Sequence, residues 1–406
     1  MKERLETSLA KIDKNIILNH AQLVKRQKLS FSENFSAGQF WICFEMVAED
    51  ESLVIARVRL PRHPATLPTV SEEDELYAIA CEVATMQFVR QKDLPSVVVP
   101  QVYAYEGPKS ERAVAAGAVY MLLEGFYGNT LLDVEFDLCK LPEHVLSQWT
   151  SVQAQLATLA YPLIGSITAI DELGEPVIGK LSTAAADGVM PEGPFSTGVE
   201  YFAAIGKAAL RRIVLEGDGD RQDLVKSSRL GAFVFLDIIQ KTDLFAGPDG
   251  LFPLNHMDLG TQNIIVDDDL NFLGIIDWEF TQTAPWQVNY YPMPFPLVES
   301  DEDIKPILED PKHLAHENVK KQHFSRKLYC DMFREAEEAL RKEKSLQGKF
   351  SEVLEGRASR IYACFGKLGN MPEHDMHYVR TMVSLAFGFN AQEIDQYIQD
   401  IQSRMG

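Results

Sequence analysis

The sequence is poor in the features that mark several classes of protein. It has only five cysteines in 406 residues: Cys43, Cys81, Cys139, Cys330 and Cys364. Their number is odd and their spacing fits no metal cluster, which reads as reduced thiols inside a cell rather than a disulfide framework. Basic residues are scarce: 39 Lys and Arg stand against 59 Asp and Glu, a formal charge of −20. That balance argues against a nucleic-acid surface. An acidic excess is first of all solvated surface, so it lends a cationic substrate little weight. The longest apolar run, Ala113 to Leu123, is broken by Gly117. It falls well short of the roughly 20 residues that span a bilayer. The opening Met-Lys-Glu-Arg-Leu-Glu has no apolar signal core. A cytoplasmic protein with no membrane or nucleic-acid partner is expected. Internal repeats and low-complexity tracts are also missing. With 46% hydrophobic and 24% charged residues, the chain can bury a substantial core in two or three domains.

What is present concentrates in residues 254–279, LNHMDLGTQNIIVDDDLNFLGIIDWE. A His-x-Asp-Leu-x-x-x-Asn run supplies His256, Asp258, Leu259 and Asn263. Two short apolar runs around an Asp/Asn turn follow, which predicts a β-hairpin. The hairpin ends at Asp277 and places it beside Asn263. This is the spacing of a phosphoryl-transfer centre. Such chemistry needs positioning more than covalent help. Asp258 is the carboxylate that orients an attacking hydroxyl and takes its proton. Asn263 and Asp277 are hard oxygen ligands for Mg²⁺, which keeps waters and substrate phosphates for its other positions. Asp267, Asp268 and Asp269 read as the hairpin turn.

Upstream, residues 1–30 have helical spacing and predict a leading helix. Trp41 to Met46 and Leu53 to Leu60 predict a strand pair about a turn at 48–52, after a tight loop at 36–39. Ser71-Glu-Glu-Asp-Glu75 opens a helix with an apolar stripe at Leu76, Ile79, Ala80, Val83 and Met86. Val97 to Tyr105 reads as an edge strand because it contains Pro100, and Val119 to Glu124 as another strand. From residue 141 helices dominate. Residues 165–195, with five glycines and Pro194, read as a long irregular insertion.

The strand Val54-Ile-Ala-Arg-Val-Arg-Leu60 puts Arg57 and Arg59 on one face. Arg57 is the candidate grip on nucleotide phosphates, and Glu82 is the helix carboxylate to hold it. The alternative is a surface arginine and a solvated glutamate. Gly38 is the one glycine in the preceding loop, and an ordinary turn explains it equally well. The carbonyl of Glu124 and the amide of Phe126 are candidates to pair with adenine, with Gly125 and Gly128 easing a tight path. A core strand followed by a turn accounts for the same residues.

Together Arg57, Cys81-Glu-Val-Ala-Thr-Met86, Val99-Pro-Gln-Val-Tyr103, Met121-Leu-Leu-Glu124, His256-Met-Asp-Leu-Gly-Thr-Gln-Asn263 and Ile276-Asp-Trp-Glu279 resemble the aminoglycoside phosphotransferase/choline kinase family. The resemblance spans about residues 30–300. Ile164-Gly-Ser166, Gly193-Pro-Phe195 and Ala284-Pro-Trp286 look like a large branch of it common in fungi. It implies an α+β, bilobal protein-kinase-like fold. A small β-rich nucleotide-binding lobe would cover residues 1–124. A larger helical lobe, 125–406, would carry the catalytic loop and the acceptor site. It also implies ATP and Mg²⁺ as cofactors, Asp258 as base, Asn263 and Asp277 as metal ligands, and His256 as a support of the loop. Two departures matter. Arg57 stands where many members have lysine, so the grip on phosphate differs. Asp-Trp-Glu replaces Asp-Phe-Gly, and no Ala-Pro-Glu follows, which disfavours a protein kinase.

The expected function is an ATP-dependent phosphotransferase acting on a hydroxyl of a small molecule. The alternative is a catalytically weak nucleotide-binding or scaffold protein of the same fold. Residues 165–195 and 286–320 are the candidate acceptor-binding segments. Glu299, Asp301 and Glu302 offer either an amine pocket or a solvated acidic loop.

Overall fold

A computed structural model describes residues 2–64, 66–135, 141–216, 222–246, 250–289, 301–343, 346, 348–354 and 356–405. The architecture is mixed α+β, with a sheet in the amino-terminal region and helices beyond it, as in protein-kinase-like folds. Residues 1–30 are not one helix. Helices α1 (Lys2–Leu9) and α2 (Lys14–Lys25) are separated by a break, and strand β1 (Leu29–Ala37) has begun by residue 29. Asp13 caps α2 by accepting from the Asn15 amide, a local contact that stops the first helix from running into the second.

Strands β2 (Trp41–Ala48) and β3 (Leu53–Arg59) alternate buried and half-buried residues, as a sheet with one face on a core requires. Helix α3 (Glu72–Arg90) starts at a capping box in which Ser71 and Asp74 exchange hydrogen bonds, a device that contributes about 1 kcal/mol. Then come β4 (Val102–Glu106), α4 (Glu111–Ala116) and β5 (Tyr120–Glu124). The antiparallel sheet has the order β1-β2-β3-β5-β4. The edge position expected for the Pro100 segment holds, but its strand is confined to β4. Residues 97–101 lie outside the strand, although the Val98 carbonyl accepts from Ile275 and the Gln101 carbonyl from Glu124. Proline at 100 has no N–H to extend a ladder.

The chain continues through β6 (Asn129–Thr130), α5 (Leu131–Val134), α6 (Glu143–Leu156) and β7 (Ala160–Tyr161). Residues 165–195 are not irregular. They form a hairpin, β8 (Ser166–Ile170) and β9 (Pro176–Gly179), and helix α7 (Ser182–Asp187). Hairpin and helix pack against α3. Their glycines permit close approach: a Cβ on Gly188 would meet the Thr69 and Val70 side chains. Glycine counts alone therefore misled, because packing and turns require the same residue.

Helices α8 (Gly198–Glu216) and α9 (Gln222–Lys241) precede β10 (Phe252–Asn255), β11 (Ile264–Val266), β12 (Phe272–Ile275) and β13 (Gln282–Thr283). Among the described residues, α10 (Asp301–Glu309), α11 (His316–Lys342), α12 (Phe350–Leu354), α13 (Arg357–Lys367), α14 (Asp375–Phe387) and α15 (Ala391–Arg404) follow. Glu299 lies outside the described residues, and Asp301 and Glu302 open α10. No helix among the described residues is long and apolar enough to cross a membrane.

The core that positions the site lies under α3. Val83, Met86 and Val89 of that helix share a cluster with Met121 of β5, Val152 of α6, Leu254 of β10 and Trp278. Trp278 is fully buried, and its indole donates to the Ile275 carbonyl. Truncating a buried tryptophan costs about 3–5 kcal/mol, so this one side chain ties the end of the hairpin to the sheet-bearing region.

Candidate active site

The predicted hairpin forms. β11 and β12 pair antiparallel with Ile264 opposite Ile275, and the Ile276 amide donates to the Asn263 carbonyl at 2.9 Å. That bond brings the backbone before Asp277 to Asn263. Asp267 makes the turn, accepting from the amides of Asp269 and Asn271. The buried residues of β11 and β12 anchor the two strands, so the chemistry-bearing ends are held from behind.

Besides Leu270 in the hairpin turn, two non-glycine residues have left-handed backbone here, Met257 at φ 55° and Asp277 at φ 62°. Such conformations cost on the order of 1 kcal/mol or more and gather at functional sites. One immediately precedes Asp258, and the other is the hairpin aspartate itself. The Asn263 amide nitrogen donates to the Asp258 carbonyl at 2.8 Å and to its carboxylate at 3.0 Å. Gln262 donates to the other carboxylate oxygen at 3.1 Å. With its nitrogen so engaged, Asn263 keeps its oxygen for another partner. Burial pushes the Asp258 carboxyl above its ordinary value; the Asn263 bond opposes that rise, and the Asp277 charge adds to it.

His256 is buried, and its Nε2 donates to the Ile276 carbonyl at 3.1 Å. Its ring stands edge-on to Trp278 at 4.7 Å. Burial pulls its pKa down to about 4, so at neutral pH it is an uncharged peg between the Asp258 loop and the end of the hairpin.

The roof comes from the sheet. Arg57 on β3 makes an ion pair with Glu82 of α3 and a second with Asp277, at 2.9 Å. Burial opposes its charge, but the Glu82 and Asp277 carboxylates hold the guanidinium ionised. The Trp41 ring lies 4.5 Å from the guanidinium carbon, a cation–π contact that sequence reading missed. Arg59, on the same face, pairs instead with Glu75. Gly38 sits in the turn between β1 and β2, where its amide donates to the Trp41 carbonyl and a Cβ would meet nothing within 4 Å.

Glu124 ends β5. Its carboxylate accepts from Arg90 at 2.9 Å and from the Gln101 amide at 3.0 Å. Neither Gly125 nor Gly128 has a positive φ. They serve contact rather than turning: a Cβ on Gly128 would strike the Val266 carbonyl, and one on Gly125 the Leu53 side chain. Phe126 packs its ring where Gly274 of β12 lacks a side chain.

Glu279 is the residue the sequence showed without a role. Its pKa is pushed up to about 8, first by burial, then by Asp277 and Glu82, against the pull of Arg57. Three carboxylates, Glu82, Asp277 and Glu279, thus act on one guanidinium, and the Asp258 charge adds to the rise at Glu279. A region with that surplus of negative charge is chemically suited to a cation. The donor set fits Mg²⁺ on two oxygens, Asn263 and Asp277, whose side chain is 35% exposed. Among the described residues no three His, Cys, Asp or Glu converge as a complete metal cage. Phosphate oxygens and water would have to supply the rest, as is usual for this ion.

The former insertion closes the site from behind. Ser182, at the start of α7, donates to the Glu279 carbonyl at 3.0 Å, and its amide donates to Ser166 at 2.9 Å. Tyr77 of α3 donates to the Lys180 carbonyl at 2.7 Å. The segment after Asp277 and the helix that carries Glu82 are therefore bound to one strap.

A family model described as "Phosphotransferase enzyme family" matches residues 57–288, more than half of the chain. None of the curated protein sequences compared with the chain matches it. Among solved structures it is similar to a putative fructosamine-3-kinase from Thermobifida fusca. Identity is 12%, with 91% of this chain and 98% of that one covered at a TM-score of 0.48. It is also similar to the macrolide 2'-phosphotransferase MphH from Brachybacterium faecium, at 12% identity, 92% and 98% coverage and a TM-score of 0.41. The aminoglycoside phosphotransferase APH(4)-Ia matches at 13% identity, 93% and 100% coverage and a TM-score of 0.45.

Proposed function

The chain belongs to the phosphotransferase enzyme family, and from that premise we propose that it moves the γ-phosphoryl group of ATP to a hydroxyl of a small molecule. Residues 1–124 are read as the nucleotide-binding lobe and 125–406 as the lobe carrying base and acceptor. The observation that carries the reading is the joint arrangement of Asp258, Asn263 and Asp277 under the Arg57–Glu82 pair.

Asp258 accepts the acceptor's proton as its oxygen bonds to the γ-phosphorus. The bond from that phosphorus to the β-bridging oxygen breaks, and ADP leaves. Gln262 and Asn263 hold the Asp258 carboxylate in one orientation, and its raised pKa favours taking a proton. Arg57 presents its guanidinium to the nucleotide phosphates while Glu82 keeps it in place. Asn263 and Asp277 would hold Mg²⁺, which when bound would neutralise phosphate charge. Gly38, Glu124 and Phe126 are assigned to the phosphate loop and the adenine hinge.

A second reading, a nucleotide-binding protein with weak transfer, is favoured by one feature. Arg57 already engages the Asp277 carboxylate, one of the two groups that would hold the metal. The two readings separate on Asp258→Asn. A transferase loses phosphoryl transfer by about 10²–10⁴-fold in this variant and keeps its affinity for Mg·ATP. Calorimetry reads the affinity, and ADP release across a set of hydroxyl compounds reads the transfer. Transfer at the wild-type rate in the variant removes Asp258 as the base.

A further inference from the structure

Two arginines leave the same face of β3, and their side chains end in different places. Arg57 reaches Glu82 and Asp277, whereas Arg59 pairs with Glu75. Arg59 and Glu75 both line a cavity of about 460 Å³, and Arg57 does not. Trp41 and Glu279 belong to the same wall. Open space and acidic partners thus lie beside the Arg57 guanidinium, and something must keep it out of them.

Trp41 meets that need. In the β2–β3 register it lies opposite Arg59, and Cys43 lies opposite Arg57, so these four side chains project from one face of the sheet. The Arg57 guanidinium carbon lies over the Trp41 ring, 4.5 Å from its centroid. Trp41 therefore borders both the guanidinium and the cavity and partitions one from the other. It is itself buried and held in the core under α3. Its carbonyl accepts from the Gly38 amide, so the same residue ties the β1–β2 turn to the Arg57 pair.

The contact also distinguishes the two basic side chains. Arginine offers one terminal nitrogen to Glu82, the other to Asp277, and a delocalised face to the indole. Lysine offers a single, strongly hydrated nitrogen, which gains less from a ring and has no second nitrogen to span two carboxylates. Loss of the ring should therefore cost arginine more than lysine.

We propose that Trp41 is a positioning residue for the phosphate grip. It holds the Arg57 guanidinium between Glu82 and Asp277, shuts it out of the adjoining cavity, and suits the site to arginine rather than lysine. The inference rests on the phosphotransferase reading and adds to it a residue that acts through Arg57.

The test is a double-mutant cycle on the full chain, with Mg·ATP affinity read by calorimetry. Trp41→Leu weakens Mg·ATP by about tenfold, and Trp41→Phe, which keeps a ring, by about threefold or less. Arg57→Lys weakens it by about tenfold or more when Trp41 is present, and by about threefold or less in the Trp41→Leu background. A general loss of packing would not depend on which base stands at position 57. Should Trp41→Leu fail to fold, Trp41→Met keeps most of the bulk without the ring and completes the same cycle. Penalties that simply multiply overturn the inference, as does wild-type affinity in the ringless variant or a Phe variant as impaired as it. Where wild type binds Mg·ATP, these results defeat the role of Trp41 alone; no Mg·ATP binding by wild type defeats the phosphotransferase reading and this inference with it.

Discussion

Two regions meet at Glu279, and they hold the site by different means. The window 254–279 carries the proposed reactive groups in one stretch of sequence and orients them through bonds within that stretch: Asn263 to Asp258, His256 to Ile276, Trp278 to Ile275. The strap 165–195 carries none of the proposed reacting groups. It reaches across the chain, from Ser182 to Glu279 and from Lys180 to Tyr77. Chemistry is concentrated in one stretch, and the alignment of that stretch with α3 is delegated to another. Changes in the first should alter charge balance and reaction; changes in the second should alter stability and alignment with little loss of reactive groups.

The largest effect on that contrast is expected from Arg57→Ala. It leaves Glu82 buried without its cation, and removing one partner of a buried pair costs about 3–5 kcal/mol. Denaturant unfolding reads the loss. Combining it with Glu82→Gln should recover part of the stability, and no recovery would mean that the pair is not coupled.

His256 probes the window alone. Its folded pKa, about 4, lies below the unfolded value near 6.5, so the folded state binds fewer protons between the two. The stabilisation is complete above pH 6.5 and is lost as pH falls through the window to 4. A shift of this size amounts to about 3 kcal/mol. In His256→Gln the acid-side slope of stability should flatten. An unchanged slope would assign the acid sensitivity elsewhere.

The strap should give the smallest effects. Ser182→Ala removes the donor to the Glu279 carbonyl and Tyr77→Phe the donor to Lys180. Each should cost about 1–2 kcal/mol, with Mg·ATP still bound. A complete loss of nucleotide binding in either would make the strap part of the chemistry and erase the distinction between the two regions.

The same contrast explains what could be read from sequence. The juxtaposition of Asp258, Asn263 and Asp277 is legible because a hairpin is local: short apolar runs around an Asp/Asn turn specify its register. Arg57 and Glu82 needed only strand and helix periodicity plus a family pattern. Trp41 was not legible as a partner of Arg57, since the contact depends on how β2 lies against β3. The strap was misread because Gly165, Gly179 and Gly188 look like loop residues until α3 and its neighbours are placed against them. The break between α1 and α2 was missed because Lys, Glu and apolar residues continue at helical spacing on both sides of it. Glu279 was visible as a letter of the motif, but its elevated pKa arises from Glu82 and Asp277 converging in space.

The central claim is that Asp277, with Asn263, holds the metal that brings ATP to Arg57. Titrating ATP into wild type and Asp277→Ala, with and without Mg²⁺, tests it most directly. Wild type should bind ATP more tightly with Mg²⁺, and the variant should lose that metal dependence while staying folded. Equal Mg·ATP affinity in the two proteins would contradict the account.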